Sequence, residues 1–344
     1  MGRVVKTIDA HAAGAPLRLV REGWPEPAGA TMGEKLAFAS SRQDKLRAFL
    51  MNEPRGHADM SGALLTAPER PGSAHGVIFM HGEGFSAMCG HGLLALGKIL
   101  GGSRFEVPGS SSALVQGATS LSTSTSTSSF TSYVLDTAVG TVTVRVNGDN
   151  VSYIGVPSFV LAGGVAVSVG TRTLVVDVAY GGAFYAMVDA EAAGLAVVPS
   201  KLPELRAVGR AIAQAVEKQI TLVHPADAEV TGLDGVIFTG PPSSERADIR
   251  SVTIFADGAA DRSPCGAATC ALLAVVDAMG LIDPSRPFVN ESIIGTTFSA
   301  TIADRASIGD VPAIVPEISG TAHITGEHTF VLEKNDPFPQ GFRL

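Results

Sequence analysis

Met88-Cys89-Gly90-His91-Gly92 runs into Leu93-Leu94-Ala95-Leu96-Gly97-Lys98-Ile99-Leu100, and Asp261-Arg262-Ser263-Pro264-Cys265-Gly266-Ala267-Ala268-Thr269-Cys270 runs into Ala271-Leu272-Leu273-Ala274-Val275-Val276. Each stretch sets a cysteine immediately before a nearly all-apolar segment of helical length. That is the pattern of a helix buried at the centre of a lobe. Unpaired N–H groups at a helix start carry roughly half a positive charge. They stabilise a thiolate, and such settings bring a cysteine pKa from about 8.5 into a range of about 3.5–7.5. The same groups can hold a carboxylate, and small residues after each cysteine let a ligand reach the backbone. Each stretch therefore offers a base and an anion cradle. Two of them, half a chain apart, suggest one site built by two halves of a molecule.

Plainer readings exist for the same residues. Cysteine is among the most buried residue types, and Cys270 is expected to be a small core residue on its helix. A disulfide between Cys265 and Cys270 is disfavoured, because that spacing sits poorly on one helical face.

These two stretches resemble the signatures of the proline racemase superfamily, which contains proline racemases, hydroxyproline 2-epimerases and trans-3-hydroxy-L-proline dehydratases. Further similarity runs through Gly56-His57-Ala58-Asp59-Met60, Gly76-Val77-Ile78-Phe79-Met80-His81 and Val156-Pro157-Ser158-Phe159-Val160. It continues in Tyr180-Gly181-Gly182-Ala183-Phe184-Tyr185-Ala186, Glu291-Ser292-Ile293-Ile294-Gly295-Thr296 and Ile324-Thr325-Gly326. The resemblance implies an α/β (α+β) fold like that of diaminopimelate epimerase. Two similar lobes would each wrap β-strands round a central helix, with the active site in the cleft between them. It implies that Cys89 and Cys265 are the catalytic thiols, one a thiolate base and the other a thiol acid. Gly90, His91, Asp261, Gly266 and Ala267 fall at substrate-contacting positions. His224, in Val223-His224-Pro225, falls at another; from spacing alone it is a histidine packed beside a turn. The expected substrate is a small amino acid.

The chemistry that follows is cofactor-free inversion. No lysine motif for pyridoxal phosphate stands out, and the resemblance implies no cofactor. A bound carboxylate and the substrate's own ammonium must then stabilise the developing negative charge. One thiol removes the α-proton and the other returns one to the opposite face, as a coupled titrating pair. The rival within the family is dehydration of a 3-hydroxyproline by one thiolate, where a threonine usually replaces Cys265. Cys265 favours racemisation or epimerisation. Asp177 to Ala186, Gly76 to His81, and Gly92, where racemases often carry asparagine, look closer to the dehydratases.

Several positions depart from the family pattern. Cys-Gly-Thr-Gly-Thr becomes Cys265-Gly266-Ala267-Ala268-Thr269, and an alanine at 268 would resist a positive φ. His-Thr-Gly-Gly-Glu-Pro becomes His11-Ala12-Ala13-Gly14-Ala15-Pro16, and Ser61 stands where tyrosine is common. Such changes shrink side chains and suggest a pocket altered to take something bulkier than proline, or drift outside the pocket. Two other function classes remain. One is an amino-acid-binding protein without chemistry. The other is metal binding through Cys89, His91 and Cys265, whose spacing fits no zinc motif, so no metal is expected.

Length and composition suit a two-lobed enzyme. The 344 residues exceed the ~150 of a typical domain about twofold. Hydrophobic residues make up 45% and charged residues 17%, enough for substantial cores. A formal charge of −8 argues against nucleic acid or an anionic membrane as partner. No apolar run is long enough to span a bilayer, and Met1-Gly2-Arg3-Val4-Val5-Lys6 lacks a secretory core. Three cysteines, an odd number, suit a reducing, cytoplasmic compartment. A homodimer is the expected assembly, if any.

The lobes are expected at 1–157, with 330–344 returning to it, and at 158–329, the crossover lying near Pro157-Ser158. Ser120 to Ser132 holds 11 Ser/Thr among 13 residues and sits in an expected insertion, 109–132, read as a mobile surface loop. Val139 to Val146 alternates like a strand that turns at Asn147-Gly148-Asp149-Asn150. Thr173 to Val178 reads as a largely buried strand. Helices are expected after both cysteines and over 201–218, where Leu205, Val208, Ile212 and Val216 recur at helical spacing as core packing.

Overall fold

The computed structural model describes residues 2–102 and 130–343. Its residues form two compact units, Met1–Tyr153 with Gly320–Leu344, and Ile154–Ser319. The Ser/Thr-rich run lies outside the described residues except at its end, where Thr131 and Ser132 open a strand rather than a loop.

The first unit starts with a hairpin of β1 (Arg3–Ala12) and β2 (Ala15–Glu22). Ala12 pairs with Ala15, leaving the two-residue turn Ala13-Gly14, and both turn residues have positive φ, 49° and 91°. That is the type I′ geometry whose twist matches the flanking strands. Next come α1 (Met32–Arg42), α2 (Asp44–Met51), β3 (Ser61–Thr66), β4 (His75–His81), β5 (Phe85–Ser86) and α3 (Gly90–Gly101). The unit continues with β6 (Thr131–Thr137), β7 (Gly140–Asn147) and β8 (Asn150–Ile154). Helix α1 begins at a capping box in which Thr31 and Glu34 satisfy each other's backbone N–H groups.

The second unit comprises β9 (Phe159–Val169), β10 (Arg172–Tyr180), β11 (Phe184–Asp189), α4 (Leu202–Gln219), β12 (Val223–His224) and β13 (Asp227–Thr231). It then holds β14 (Leu233–Gly240), β15 (Ile249–Phe255), α5 (Gly266–Ala278), β16 (Phe288–Ser292) and β17 (Thr297–Ile308). The last strand, β18 (Val311–Leu332), serves both units. Its first half pairs with β17 and its second half with β1.

The two units repeat one topology. In the first, β1/β2 is antiparallel, β2/β3 parallel, β3/β4 antiparallel, β4/β6 parallel and β6/β7 antiparallel. In the second, β10/β11, β11/β14, β14/β15, β15/β16 and β16/β17 follow the same alternation. Each parallel step needs a crossover, and a helix supplies it. Helices α1 and α2 serve the first crossover of the first unit and α4 that of the second. Helices α3 and α5 serve the second crossovers. Both cysteine-led helices thus occupy the same place in the repeat, which is what the paired motifs require.

Burial explains their apolar faces. Helix α3 buries every residue from Gly90 to Gly97, and a Cβ on Gly97 would lie 2.6 Å from both Val144 and Val151, so the helix rides directly on β7 and β8. Helix α5 is buried from Ala268 to Val275. Helix α4 is amphipathic, with Leu205, Ile212 and Val216 fully buried in the second unit's core and Val208 packed at its edge. Over residues 173–178 strand β10 is half-buried rather than largely buried. There Leu174, Val176 and Val178 face the core, whereas Val175 is 62% exposed, because the core covers one face only until the strand is enclosed at Ala179 and Tyr180. Among the described residues no helix is long and apolar enough to cross a membrane.

Candidate active site

Cys89 is the N-cap of α3, with an ordinary extended backbone, φ −150° and ψ 106°. Its thiol is half-buried and faces the buried His91 ring, Sγ lying 3.5 Å from Nε2 and 3.7 Å from Nδ1. The thiol does not cap its own helix, so the first-turn N–H groups keep their donor capacity for an anion. Gly92 also shapes this corner. A Cβ there would lie 2.9 Å from the Cys89 Sγ and 2.8 Å from the Phe79 ring. Glycine at 92 therefore does more than mark a subfamily: it leaves the thiol and Phe79 the room they occupy.

Cys265 is the N-cap of α5 and differs in its backbone. Its φ is 58° and ψ 116°, outside the small left-handed well that L-residues tolerate. Such a residue costs about 1–3 kcal/mol and persists only where its surroundings over-determine it. The surroundings are a set of buried side chains. The Cys265 N–H donates to Ser263 Oγ at 3.1 Å. Ser263 in turn donates its N–H and its hydroxyl to Asp261 Oδ1, both at 2.8 Å. The Pro264 carbonyl accepts from Thr269 Oγ1 at 3.1 Å and from Asn290 Nδ2 at 3.3 Å. Asn290 Nδ2 also donates to Thr269 Oγ1 at 3.0 Å, and Ser251 Oγ donates to Asn290 Oδ1 at 2.9 Å. The Cys265 carbonyl accepts the Thr269 N–H at 2.8 Å, the first turn of α5.

The predicted residues of the second unit thus separate into two groups. Asp261, Cys265, Gly266 and Ala267 lie on one continuous stretch, the loop into α5 and the helix's first two residues. Asp261 acts on its own chain by holding Ser263. Ala268 lies inside α5 and is not among the residues of positive φ, so the expected conflict does not arise. The strain falls on Cys265 instead. His224 lies on β12, edge-on to Tyr180 at 4.7 Å and Phe159 at 5.4 Å between ring centroids, with Nδ1 accepting the Ala226 N–H at 3.2 Å. Its ring packs on these two aromatic side chains beside the turn at Pro225 and Ala226. Burial holds its imidazole below the usual range, against the opposing pull of Asp227. Burial also raises the Tyr180 phenol, with Asp227 adding to the effect.

Cys270 forms no disulfide, with Cys265 or otherwise, and lies 1% exposed in the second unit's interior. Among the described residues no cluster of three His, Cys, Asp or Glu could hold a metal ion. Gly181, just past β10, is the residue that lets the sheet approach α5. A Cβ there would lie 2.2 Å from the Ala267 carbonyl oxygen and 2.5 Å from the Ala271 nitrogen. Asn290 and Ser251 escape sequence reasoning because Asn290 reaches the Pro264 carbonyl across 26 residues and Ser251 reaches Asn290 across 39, whereas Thr269 lies only five residues from Pro264 and nothing in the motif marks its bond. Only the Ser-Pro-Cys spacing hints that Ser263 reaches the cysteine N–H.

Comparison with known proteins adds four findings. The family model described as proline racemase matches residues 7–343. The chain is 37% identical over 350 residues to a trans-3-hydroxy-L-proline dehydratase of Bacillus thuringiensis subsp. konkukian, covering 100% of this chain and 99% of that one. It is 34% identical over 348 residues to a proline racemase of Clostridioides difficile, covering 99% and 98%. Among solved structures, a hydroxyproline epimerase from Agrobacterium vitis with bound trans-4-hydroxy-L-proline superposes with a TM-score of 0.84 at 27% identity, covering 99% and 95%.

Proposed function

The chain belongs to the proline racemase family, and from that premise we propose that it inverts the α-carbon of proline or a hydroxyproline without a cofactor, with Cys89 and Cys265 as the acid–base pair. The observation that carries this reading is a cysteine at the start of each of the two topologically equivalent helices, α3 and α5. A dehydratase needs one thiolate; inversion needs two groups that exchange roles. The substrate carboxylate is held by first-turn N–H groups, among them those of Gly90, His91, Gly266 and Ala267. One thiolate takes the α-proton: the C–H bond breaks, an S–H bond forms, and the electron pair stays on carbon beside the ammonium and the bound carboxylate. The other thiol then delivers its proton to the opposite face and becomes the thiolate. His91, against the Cys89 sulfur, stabilises the charge that appears there.

The second reading is dehydration of trans-3-hydroxy-L-proline, with one thiolate removing the α-proton and the 3-hydroxyl leaving. It is supported by similarity to dehydratases along the whole chain and by Gly92 beside Cys89. Proton NMR in D2O with L-proline, trans-4-hydroxy-L-proline and trans-3-hydroxy-L-proline separates the two. Loss of the α-proton signal with appearance of the opposite configuration is the expected result, and the fastest substrate identifies the specificity. Consumption of the 3-hydroxy compound alone, giving a cyclic imine, overturns inversion in favour of dehydration. Binding of these ligands with no exchange points to an amino-acid-binding role.

A further inference from the structure

The geometry points to Thr269 and Asn290 as positioning residues that hold the Cys265 thiol, a role that rests on the proposed inversion reaction. The two cysteine N-caps are reached in different ways. Cys89 starts its helix from ordinary extended backbone, so a helix in this place of the repeat needs no distortion to begin. Cys265 starts its helix at φ 58° and ψ 116°. The peptide entering Cys265 is bracketed on both sides: its carbonyl is held by Thr269 Oγ1 and Asn290 Nδ2, and its N–H by Ser263 Oγ. Ser251 fixes the Asn290 amide from behind. Ser251, Ser263, Thr269 and Asn290 are each 0% exposed, so water does not replace any of these bonds. A side chain's direction follows its own φ and ψ. Releasing the peptide lets Cys265 relax toward a common conformation and swings its sulfur away from where the bracket puts it.

The consequence for a two-thiol reaction is specific. With Cys265 displaced, Cys89 still removes the α-proton of the enantiomer it serves, but no thiol stands ready on the other face. The Cys89 thiol exchanges its proton with D2O and returns a deuteron to the same face. The C–H bond is replaced by C–D with configuration retained. Exchange becomes uncoupled from inversion.

The test compares Thr269→Val, which keeps the shape but removes the hydroxyl, with Thr269→Ser, which keeps the hydroxyl. Exchange and inversion are followed together in D2O by NMR and chiral chromatography, starting from each enantiomer of the best substrate. The expected result is at least a tenfold rise in the exchange-to-inversion ratio for Thr269→Val from one enantiomer only, with KM within threefold and the ratio restored in Thr269→Ser. Asn290→Asp, which turns the donor into an acceptor facing the Pro264 carbonyl, gives the same rise. Partial unfolding lowers both rates together and leaves the ratio unchanged. An unchanged ratio in Thr269→Val and Asn290→Asp overturns the proposal. Should the wild-type protein invert none of the three prolines, the function reading fails by itself, and the bracket is read from iodoacetamide labelling by peptide mass spectrometry. There, at least a threefold change in the Cys265 rate in Thr269→Val, with Cys89 unchanged, upholds it, and equal rates overturn it.

Discussion

Gly181→Ala tests how closely the sheet must approach the helix that carries Cys265. The added Cβ would lie 2.2 Å from the Ala267 carbonyl oxygen and 2.5 Å from the Ala271 nitrogen, with the Cys270 Cβ 3.0 Å away. The two shortest contacts are to backbone in the first turns of α5, so no rotamer change relieves them. Reaching an ordinary contact requires the end of β10 and the start of α5 to separate by about 1 Å. Overpacking of this kind costs about 1–3 kcal/mol, and the upper end applies where backbone must move. For a unit of this size that lowers the melting temperature by roughly 5–10 °C. The effect on catalysis is larger than the effect on stability, because a 1 Å misplacement of a reacting group costs about 10²-fold in rate. The assay pairs thermal unfolding with α-proton exchange in D2O at 25 °C, well below the expected melting point. Gly240→Ala is the control: its Cβ would meet only Val197 Cγ2, at 3.6 Å, and its stability is expected within about 0.5 kcal/mol of wild type. A Gly181→Ala protein that melts within 2 °C of wild type and exchanges within about twofold of it would refute the claim that this glycine sets the position of α5.

Cys89→Ala and Cys265→Ala should each lower inversion by at least about 10²-fold. Cys270→Ala should leave it unchanged and cost roughly 1–2 kcal/mol in urea unfolding, as expected of a thiol that only fills the core. Cys265→Thr should abolish inversion and also lose stability beyond Cys265→Ser, because a β-branched residue at φ 58° is a greater outlier than an unbranched one. Turnover of trans-3-hydroxy-L-proline by that variant would support the dehydratase framework. Burial holds the His75 imidazole below its usual range, so the folded state prefers it neutral and the unfolded chain binds the extra proton. Its contribution is fully present above about pH 6.5 and declines as the pH falls, by up to about 1.4 kcal/mol per unit, before levelling off below the depressed folded value. Urea unfolding between pH 7.5 and 5 should show this slope, and His75→Gln should reduce it, the remainder coming from His11 and His224, whose imidazoles burial also holds low.

The sequence disclosed those parts of the fold whose cause is local. Helices α3 and α5 stand out because they are apolar all round, and α4 because its apolar positions recur at helical spacing. Helices α1 and α2 do not stand out, because their buried faces carry charge. Lys35 is 5% exposed and donates to the Ala67 carbonyl at 2.6 Å and to Glu26 at 3.3 Å. Arg47 is equally buried, pairing with Asp44 at 2.6 Å and donating to the His81 carbonyl at 3.0 Å. Charges satisfied by distant carbonyls sit inside the buried stripe and disguise it. The 22-residue β18 is not legible as one strand, because successive partners, β17 and then β1, bury different halves of it.

The same distinction governs the site. Both thiols were visible in the motifs, as was their place at helix starts. The family pattern has glycine at position 268, yet the positive φ resides on Cys265, because side chains from β15, α5 and β16 impose it. That displacement bears on the choice between the two chemistries. An unbranched cysteine tolerates the bracketed conformation better than a threonine does. The bracket and the second cysteine therefore belong together, so the backbone around position 265 favours inversion even where Gly92 and the surrounding framework resemble the dehydratases.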